Sequence, residues 1–279
     1  MSLFFQRNIS QILPRRLKQF PAVVLTGPRQ SGKTTLVKHA LSRTHRYISF
    51  VTPDIRSFAR LDPRAFLARN SPPLIIDEIQ YVPEILHYIK ERIDTERDKK
   101  GRFVLTGSQN FALMHGVSES LAGMADILEL FPLALSENPG RRVKNLNSLN
   151  GMAEWWTAGS YPEIHHGMDI DSRAWHAAYL HTYLERDVRQ ILKVGDLETF
   201  SIVVRLLASQ NGGLLNMSTI SSAAGVAVNT VKSWISALQA SYQILLLHPY
   251  HKRLRKRLIH RPKLYFTDNG LLSYLLGIL

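Results

Sequence analysis

The sequence contains no cysteine, which excludes disulfides, thiolate metal sites and cysteine nucleophiles and suits the cytoplasm. It has no apolar run near the roughly 20 residues that a spanning helix needs, so no membrane is expected among its partners. Met1–Arg7 lacks the basic start and long apolar stretch of a secretory leader. Acids are scarce: 22 Asp and Glu face 35 Lys and Arg, a net charge of +13. Such a surface favours polyanions. The excess is uneven, because His248–Lys263 holds seven Lys or Arg and no acid. Glycine and proline are ordinary, and hydrophobic residues make up 45% of 279 positions, enough for one or two domains with real cores.

Apolar runs of strand length alternate with helical patterns through the first half. Ala22–Thr26 is a strand, and a helix runs from about Lys33 to Ser42. Tyr47–Val51 is a second strand, and 55–70 reads as helical. Leu74–Asp77 is a short buried strand, a helix starts at Pro83, and Arg102–Thr106 and Ile127–Leu130 are further strands. Residues 1–20 also read as helix. This order predicts an α/β parallel sheet covered on both faces. The pattern changes near 138, beyond which Ala174–Val194 and Leu197–Ser209 read as long helices. The expected domains are 1–138, a helical segment 139–195, and 196–279. The chain ends on an apolar helix with no polar tail, which predicts either that this helix docks on the core or, as the favoured reading, that further protein follows it.

Gly27-Pro28-Arg29-Gln30-Ser31-Gly32-Lys33-Thr34 fits G-x-x-x-x-G-K-[ST] between a strand and a helix. The chemistry needs each part. Backbone N–H groups from Gly27 through Gly32 wrap a phosphate, and the helix that follows presents its positive end to it. Lys33 supplies a charge to the outer phosphates, Thr34 offers a hydroxyl to Mg2+, and Thr35 continues the binding turn. A bare Gly-Lys-Thr surface turn is the bland alternative, and the flanking strand and helix argue against it. Leu74-Ile75-Ile76-Asp77-Glu78 carries acids to a strand's carboxyl end, where ligands bind in open α/β sheets. There Asp77 would hold Mg2+ with Thr34, and Glu78 would polarise the attacking water. Phe103–Thr106 leads to Ser108, Gln109 and Asn110, any of which could bind that water; an ordinary polar turn is the alternative. No Asn-Lys-x-Asp guanine reader occurs, which favours ATP.

These motifs resemble a family of prokaryotic AAA+ ATPases. The resemblance runs through Gly-Pro-Arg-Gln-x-Gly-Lys-Thr-Thr-Leu, Leu-Ile-Ile-Asp-Glu-Ile-Gln and Leu-Thr-Gly-Ser-Gln. It continues in Ser120–Gly123, Phe131–Leu133, Gly159–Glu163, Tyr183–Arg189 and Pro262–Leu271. It implies a P-loop NTPase core of AAA+ type, a mainly helical lid and a winged-helix region, normally followed by a restriction-nuclease-like domain that this chain lacks. AAA+ proteins often form rings, so a homo-oligomer is among the expected partners. Where similar proteins carry Leu-Ala-Gly-Arg, this chain has Leu121-Ala122-Gly123-Met124. Hydrolysis is then slow, or another arginine serves; Arg186 and Arg189 are candidates, with helix-face ion pairs to Glu185 or Asp187 as the alternative.

Met217–Trp234 has the grammar of helix, turn and helix, with Gly225 at the turn and Asn229 as the expected cap. Val231, Trp234, Ile235 and Leu238 give the second helix a buried face. Asn229, Thr230, Lys232 and Ser233 would be exposed, as on a helix that reads base edges. Lys252–Arg257 falls where a wing would sit. Double-stranded DNA is the partner this suggests, although winged helices also bind proteins and the basic run also reads as a solvated face. Trp155, Trp156 and Tyr161 read as packing, and His165-His166 as a poor metal site. The expected function is an ATPase coupling ATP binding and hydrolysis to domain movement on DNA. The alternatives are a nucleotide-gated DNA- or protein-binding regulator with little hydrolysis, and a small-molecule phosphotransferase.

Overall fold

A computed structural model describes residues 4–108, 117, 120–140, 142–166, 170–183, 197–250 and 261–278. The chain forms two compact units, Met1–Pro139 and Gly140–Leu279.

The first unit is built on a five-stranded sheet of β1 (Ala22–Thr26), β2 (Arg46–Ser49), β3 (Leu74–Asp77), β4 (Phe103–Thr106) and β5 (Ala125–Glu129). The strand order is β2-β3-β4-β1-β5 and every pairing is parallel. The central strands β1, β3 and β4 are buried at every position because both faces are covered, and each is apolar up to one polar residue at its carboxyl end. Side chains alternate across the sheet, and the two cores follow that alternation. Ala22, Val24, Leu74, Ile76, Phe103 and Leu105 enter one core. Val23, Leu25, Ile75 and Val104 enter the other. Helices α2 (Lys33–Leu41), α3 (Pro53–Leu61), α4 (Pro63–Arg69) and α5 (Ile85–Thr95) cross between strands, after α1 (Leu13–Leu17).

Two local expectations need correction. The N-terminal twenty residues are not one helix but a 3-10 turn at Asn8–Gln11 and the short α1; Pro14 is tolerated only in a first helical turn. The helical stretch 55–70 is split at Asp62, whose φ of −143° and ψ of 83° lie outside the helical region. Pro63 disfavours a helical residue before it, and Asp62 instead accepts the Ala65 N–H at 2.9 Å as an N-cap.

The second unit comprises α6 (Leu149–Ala158), α7 (Ser172–Tyr183), α8 (Leu197–Ser209), α9 (Met217–Ala224) and α10 (Val228–Ala240), then β6 (Ile244–Leu247), β7 (Lys263–Phe266) and α11 (Asn269–Leu276). Strands β6 and β7 are antiparallel, and Leu214 bridges to Lys263. One core joins Tyr161 and Tyr179 to Phe200, Trp234 and Leu271, so residues on both sides of 195 share it. Gly225 ends α9 with φ 67°, a left-handed turn that glycine adopts freely. Asn229 is not the cap of α10. Ala227 holds that position without a side-chain bond, and Asn229 is exposed within the first turn.

Candidate active site

The site is assembled at the carboxyl edge of the parallel sheet, where β1, β3 and β4 all end. Leaving β1, the chain makes a tight loop. Gly27 has φ 138°, and a Cβ there would overlap the Leu130 carbonyl of the segment leaving β5. Gly32, with φ 94°, starts α2. Left-handed backbone is readily adopted only by glycine; Gln30 nevertheless adopts φ 59° at the exposed tip. Lys33 is buried and folds back over the loop, its ammonium donating to the carbonyls of Gly27 at 2.9 Å and Pro28 at 2.7 Å. Arg29 is half-buried, Thr35 is exposed, and Ser31 is buried with an unpartnered hydroxyl. This loop has the features of an anion cradle: turning backbone, a helix N-terminus and a buried cation.

Asp77 ends β3 and is buried. Its carboxylate accepts hydrogen bonds from three hydroxyls. Thr34 donates at 3.0 Å and 3.2 Å, Tyr47 of β2 donates at 2.6 Å, and Thr106 of β4 also donates. Burial, then the carboxylate partner, push the Tyr47 phenol well above its ordinary range, so it stays a neutral donor. A hydroxyl and a carboxylate at this separation form a hard oxygen donor set of the kind magnesium prefers, so Thr34 and Asp77 fit that ion.

Glu78 follows with φ 58°, a conformation uncommon outside glycine and seen often at functional sites. Its N–H donates to the Thr106 hydroxyl at 3.4 Å. Its carboxylate accepts the Gln80 amide, which also reaches the Ser108 hydroxyl at 3.5 Å. Ser108 is buried beside this group. The structure therefore brings Gly27–Thr35, Asp77, Glu78 and Ser108 to one edge of the sheet. Gln109, Asn110, Arg186, Arg189 and the basic stretch Lys252–Arg257 lie outside the described residues. Met124 packs against the core that contains Leu121.

Sequence reasoning missed four residues here. Tyr47 and Thr106 secure Asp77, and Gln80 secures Glu78. Arg7 is buried beneath the phosphate loop, donating to the Ser31 carbonyl at 2.7 Å. For Thr106 and Gln80 a signal was present, since both lie inside the quoted motifs. Tyr47 and Arg7 stand alone in the sequence, and only the sheet order brings them to the site.

In the second unit the glycine motifs meet one another. Asp268 is buried and accepts the Leu271 N–H and the Ser160 N–H, each at 2.7 Å. A Cβ on Gly270 would overlap His176 and the Ala158 carbonyl. His176 and His165 are buried, bound through Nε2 to the carbonyls of Ala158 at 2.9 Å and Gly159 at 2.8 Å. Burial lowers both imidazoles below their ordinary value. Trp155 stacks on His165 with centroids 4.5 Å apart. These residues pack: both histidines are buried, and the Nδ1 of each lies without a hydrogen-bond partner.

Comparison with known proteins agrees with this division. Residues 19–138 match the family model described as an AAA domain, and residues 150–279 match one described as a domain of unknown function (DUF8612). Two curated relatives, uncharacterized protein Rv2008c of Mycobacterium tuberculosis and uncharacterized protein Mb2031c of Mycobacterium bovis, are each 31% identical over 277 residues. The alignment takes in 99% of this chain, which spans 60% of the length of those relatives. A solved structure, the Walker-type ATPase PABY2304 of Pyrococcus abyssi, superposes with a TM-score of 0.57 over 98% of this chain and 96% of its own at 15% identity, which shows a shared fold. Residues 19–138 thus form a P-loop, nucleotide-binding domain of AAA type. No helix among the described residues is long and apolar enough to cross a membrane.

Proposed function

We propose, from the AAA domain at residues 19–138, that the chain binds ATP with Mg2+ on the Gly27–Thr34 loop, hydrolyses it, and couples that cycle to domain movement on DNA. The observation that carries this reading is the meeting of Thr34 and Asp77 at 3.0 Å beside the buried ammonium of Lys33. Lys33 would leave the loop carbonyls for phosphate oxygens and offset the charge that develops there. Thr34 and Asp77 would hold magnesium, which when bound neutralises charge on the outer phosphates. Tyr47 and Thr106 would keep the Asp77 carboxylate aimed for that task. Glu78 would accept a proton from a water while its oxygen attacks the γ-phosphorus and the bond to the β,γ-bridging oxygen breaks, leaving ADP and phosphate. Ser108 lies near enough to Glu78, through Gln80, to help hold the water.

For the second unit, α8, α9 and α10 followed by the β6–β7 pair and the Leu214 bridge support a winged-helix reading. The exposed residues Asn229, Lys232 and Ser233 at the start of α10 suit contact with duplex DNA, as does the net charge of +13. A second reading, a nucleotide-gated regulator with little turnover, is favoured by one observation. Met124 lies against the core and cannot serve as an arginine at the γ-phosphate.

The test is steady-state ATP hydrolysis by wild type and Glu78→Gln, with and without duplex DNA, at low and high salt. The reading predicts DNA-stimulated turnover that weakens with salt and falls about 10²- to 10⁴-fold in the variant. Nucleotide binding without turnover in either protein would select the regulator. Full turnover in Glu78→Gln would remove Glu78 as the base.

A further inference from the structure

Arg7 is a single buried guanidinium that ties three segments together. One terminal nitrogen donates to the Ser31 carbonyl inside the phosphate loop at 2.7 Å. The other donates to the carbonyls of Phe131 at 2.6 Å and Pro132 at 3.3 Å, in the segment leaving β5. Its Nε pairs with Glu137 at 3.1 Å, both side chains being almost fully buried. Glu137 in turn accepts the backbone N–H groups of Asn8 and of Ala134, the latter at 3.0 Å. Glu137 precedes the end of the first unit, Pro139, by two residues. Burial pulls the Arg7 pKa down and Glu137 opposes that, but a guanidinium stays charged under any folding condition.

The peptide bond gives this contact a consequence for ligand binding. A trans peptide is planar, with its C=O and N–H pointing in opposite directions. Residue 31 contributes the carbonyl and residue 32 the N–H of one such plane. Arg7 holds the Ser31 carbonyl, so the Gly32 N–H must point away from Arg7. Gly32 has φ 94° and opens α2, and the free N–H groups at a helix start are those that bind anions. We propose that Arg7 is a positioning residue that fixes the Ser31–Gly32 peptide for phosphate and links phosphate binding to the segment 131–137. The inference rests on the phosphate-loop reading above. Anion binding pulls on the Gly32 N–H, and any rotation of that peptide moves the carbonyl that Arg7 shares with Phe131 and Pro132. A lysine carries the same charge but lacks the planar fork needed to hold the carbonyls and Glu137 together.

The experiment compares the full chain as wild type, Arg7→Lys and Glu137→Gln. ATP affinity is read by calorimetry, hydrogen exchange of 131–137 is followed with and without ATP and Mg2+, and circular dichroism checks the fold. In wild type, ATP should slow exchange in 131–137. Arg7→Lys should weaken ATP binding by about tenfold or more, as loss of a charge-assisted network implies, and should abolish the exchange response while the protein stays folded. If Arg7→Lys does not fold, Glu137→Gln decides, and it should show a smaller loss of affinity with a reduced response. Wild-type affinity and an unchanged exchange response in whichever variant is folded would overturn the proposal and leave the phosphate-loop reading standing. Absence of ATP binding in wild type itself would remove both.

Discussion

The phosphate loop and the Asp268 clasp are both built from glycine, small polar residues and a buried charge, yet they do opposite things with them. In the first unit the glycines open a concave loop, and polar groups are left ready for a ligand. Lys33 spends its donors on its own loop carbonyls, and the Ser31 hydroxyl has no partner. In the second unit the glycines let segments approach until nothing else fits. Asp268 accepts two backbone N–H groups, and Gly270 sits against His176 and Ala158. Motif strength in the sequence does not separate the two. What separates them is the setting: the phosphate loop leads into the N-terminus of α2, where backbone N–H groups can receive an anion, whereas the two N–H groups at Asp268 are already bound by its carboxylate.

The contrast can be broken at either end. All four tryptophans, Trp155, Trp156, Trp175 and Trp234, belong to the second unit, so tryptophan fluorescence reports its unfolding alone. Asp268→Ala removes a buried acceptor from two N–H groups and should destabilise that transition by about 3–5 kcal/mol, with ATP affinity at the phosphate loop unchanged. A loss of ATP binding with the second unit still folded would end the division of labour.

Acidification should act next. His176 and His165 have folded-state values depressed by burial. They must charge on unfolding below the ordinary histidine pKa. Their contribution to stability is therefore complete above about pH 6.5 and lost as pH falls from there toward the folded values, at up to about 1.4 kcal/mol per pH unit for each group. Tryptophan-monitored denaturation at pH 7.5 and 5.5 checks the sign; a second unit more stable at pH 5.5 would refute it. His45 of the first unit is shifted the same way by burial, so among the described residues the comparison is two histidines against one.

The smallest effect is expected at Tyr47. Tyr47→Phe deletes one of three hydroxyls on Asp77, worth about 0.5–1.5 kcal/mol. It should raise the Mg2+ concentration needed for half-maximal ATP binding by a few-fold while leaving magnesium-independent nucleotide affinity alone. An unchanged magnesium requirement would show that Thr34 and Thr106 orient Asp77 unaided.

What the sequence disclosed, it disclosed through local chemistry. Gly27–Thr34 and Leu74–Glu78 are contiguous, so spacing alone reveals the loop and the acid, and continuous apolar runs reveal strands buried on both faces. Tyr47 and Arg7 were not legible for a related reason. Tyr47 reaches Asp77 only because β2 lies beside β3, and Arg7 reaches Ser31 only through the packing of the N-terminal turn. The helical reading of 1–20 failed because Leu13, Leu17 and Phe20 keep helical spacing across a segment whose first part turns before Pro14. Asn229 is not the cap of α10 because the turn at Gly225 is followed by Val226 and Ala227, and the backbone enters the helix one residue before the polar Asn229.

The most direct test is calorimetric titration of ATP with Mg2+ into wild type and Lys33→Ala. The account predicts one ATP per wild-type chain, and in the variant a loss of affinity of about tenfold to a hundredfold, the worth of a hydrogen-bonded charge. The tryptophan-monitored unfolding of the second unit should not change. Equal ATP affinity in the two proteins would contradict it, because the phosphates would then be held somewhere other than the Gly27–Thr34 loop.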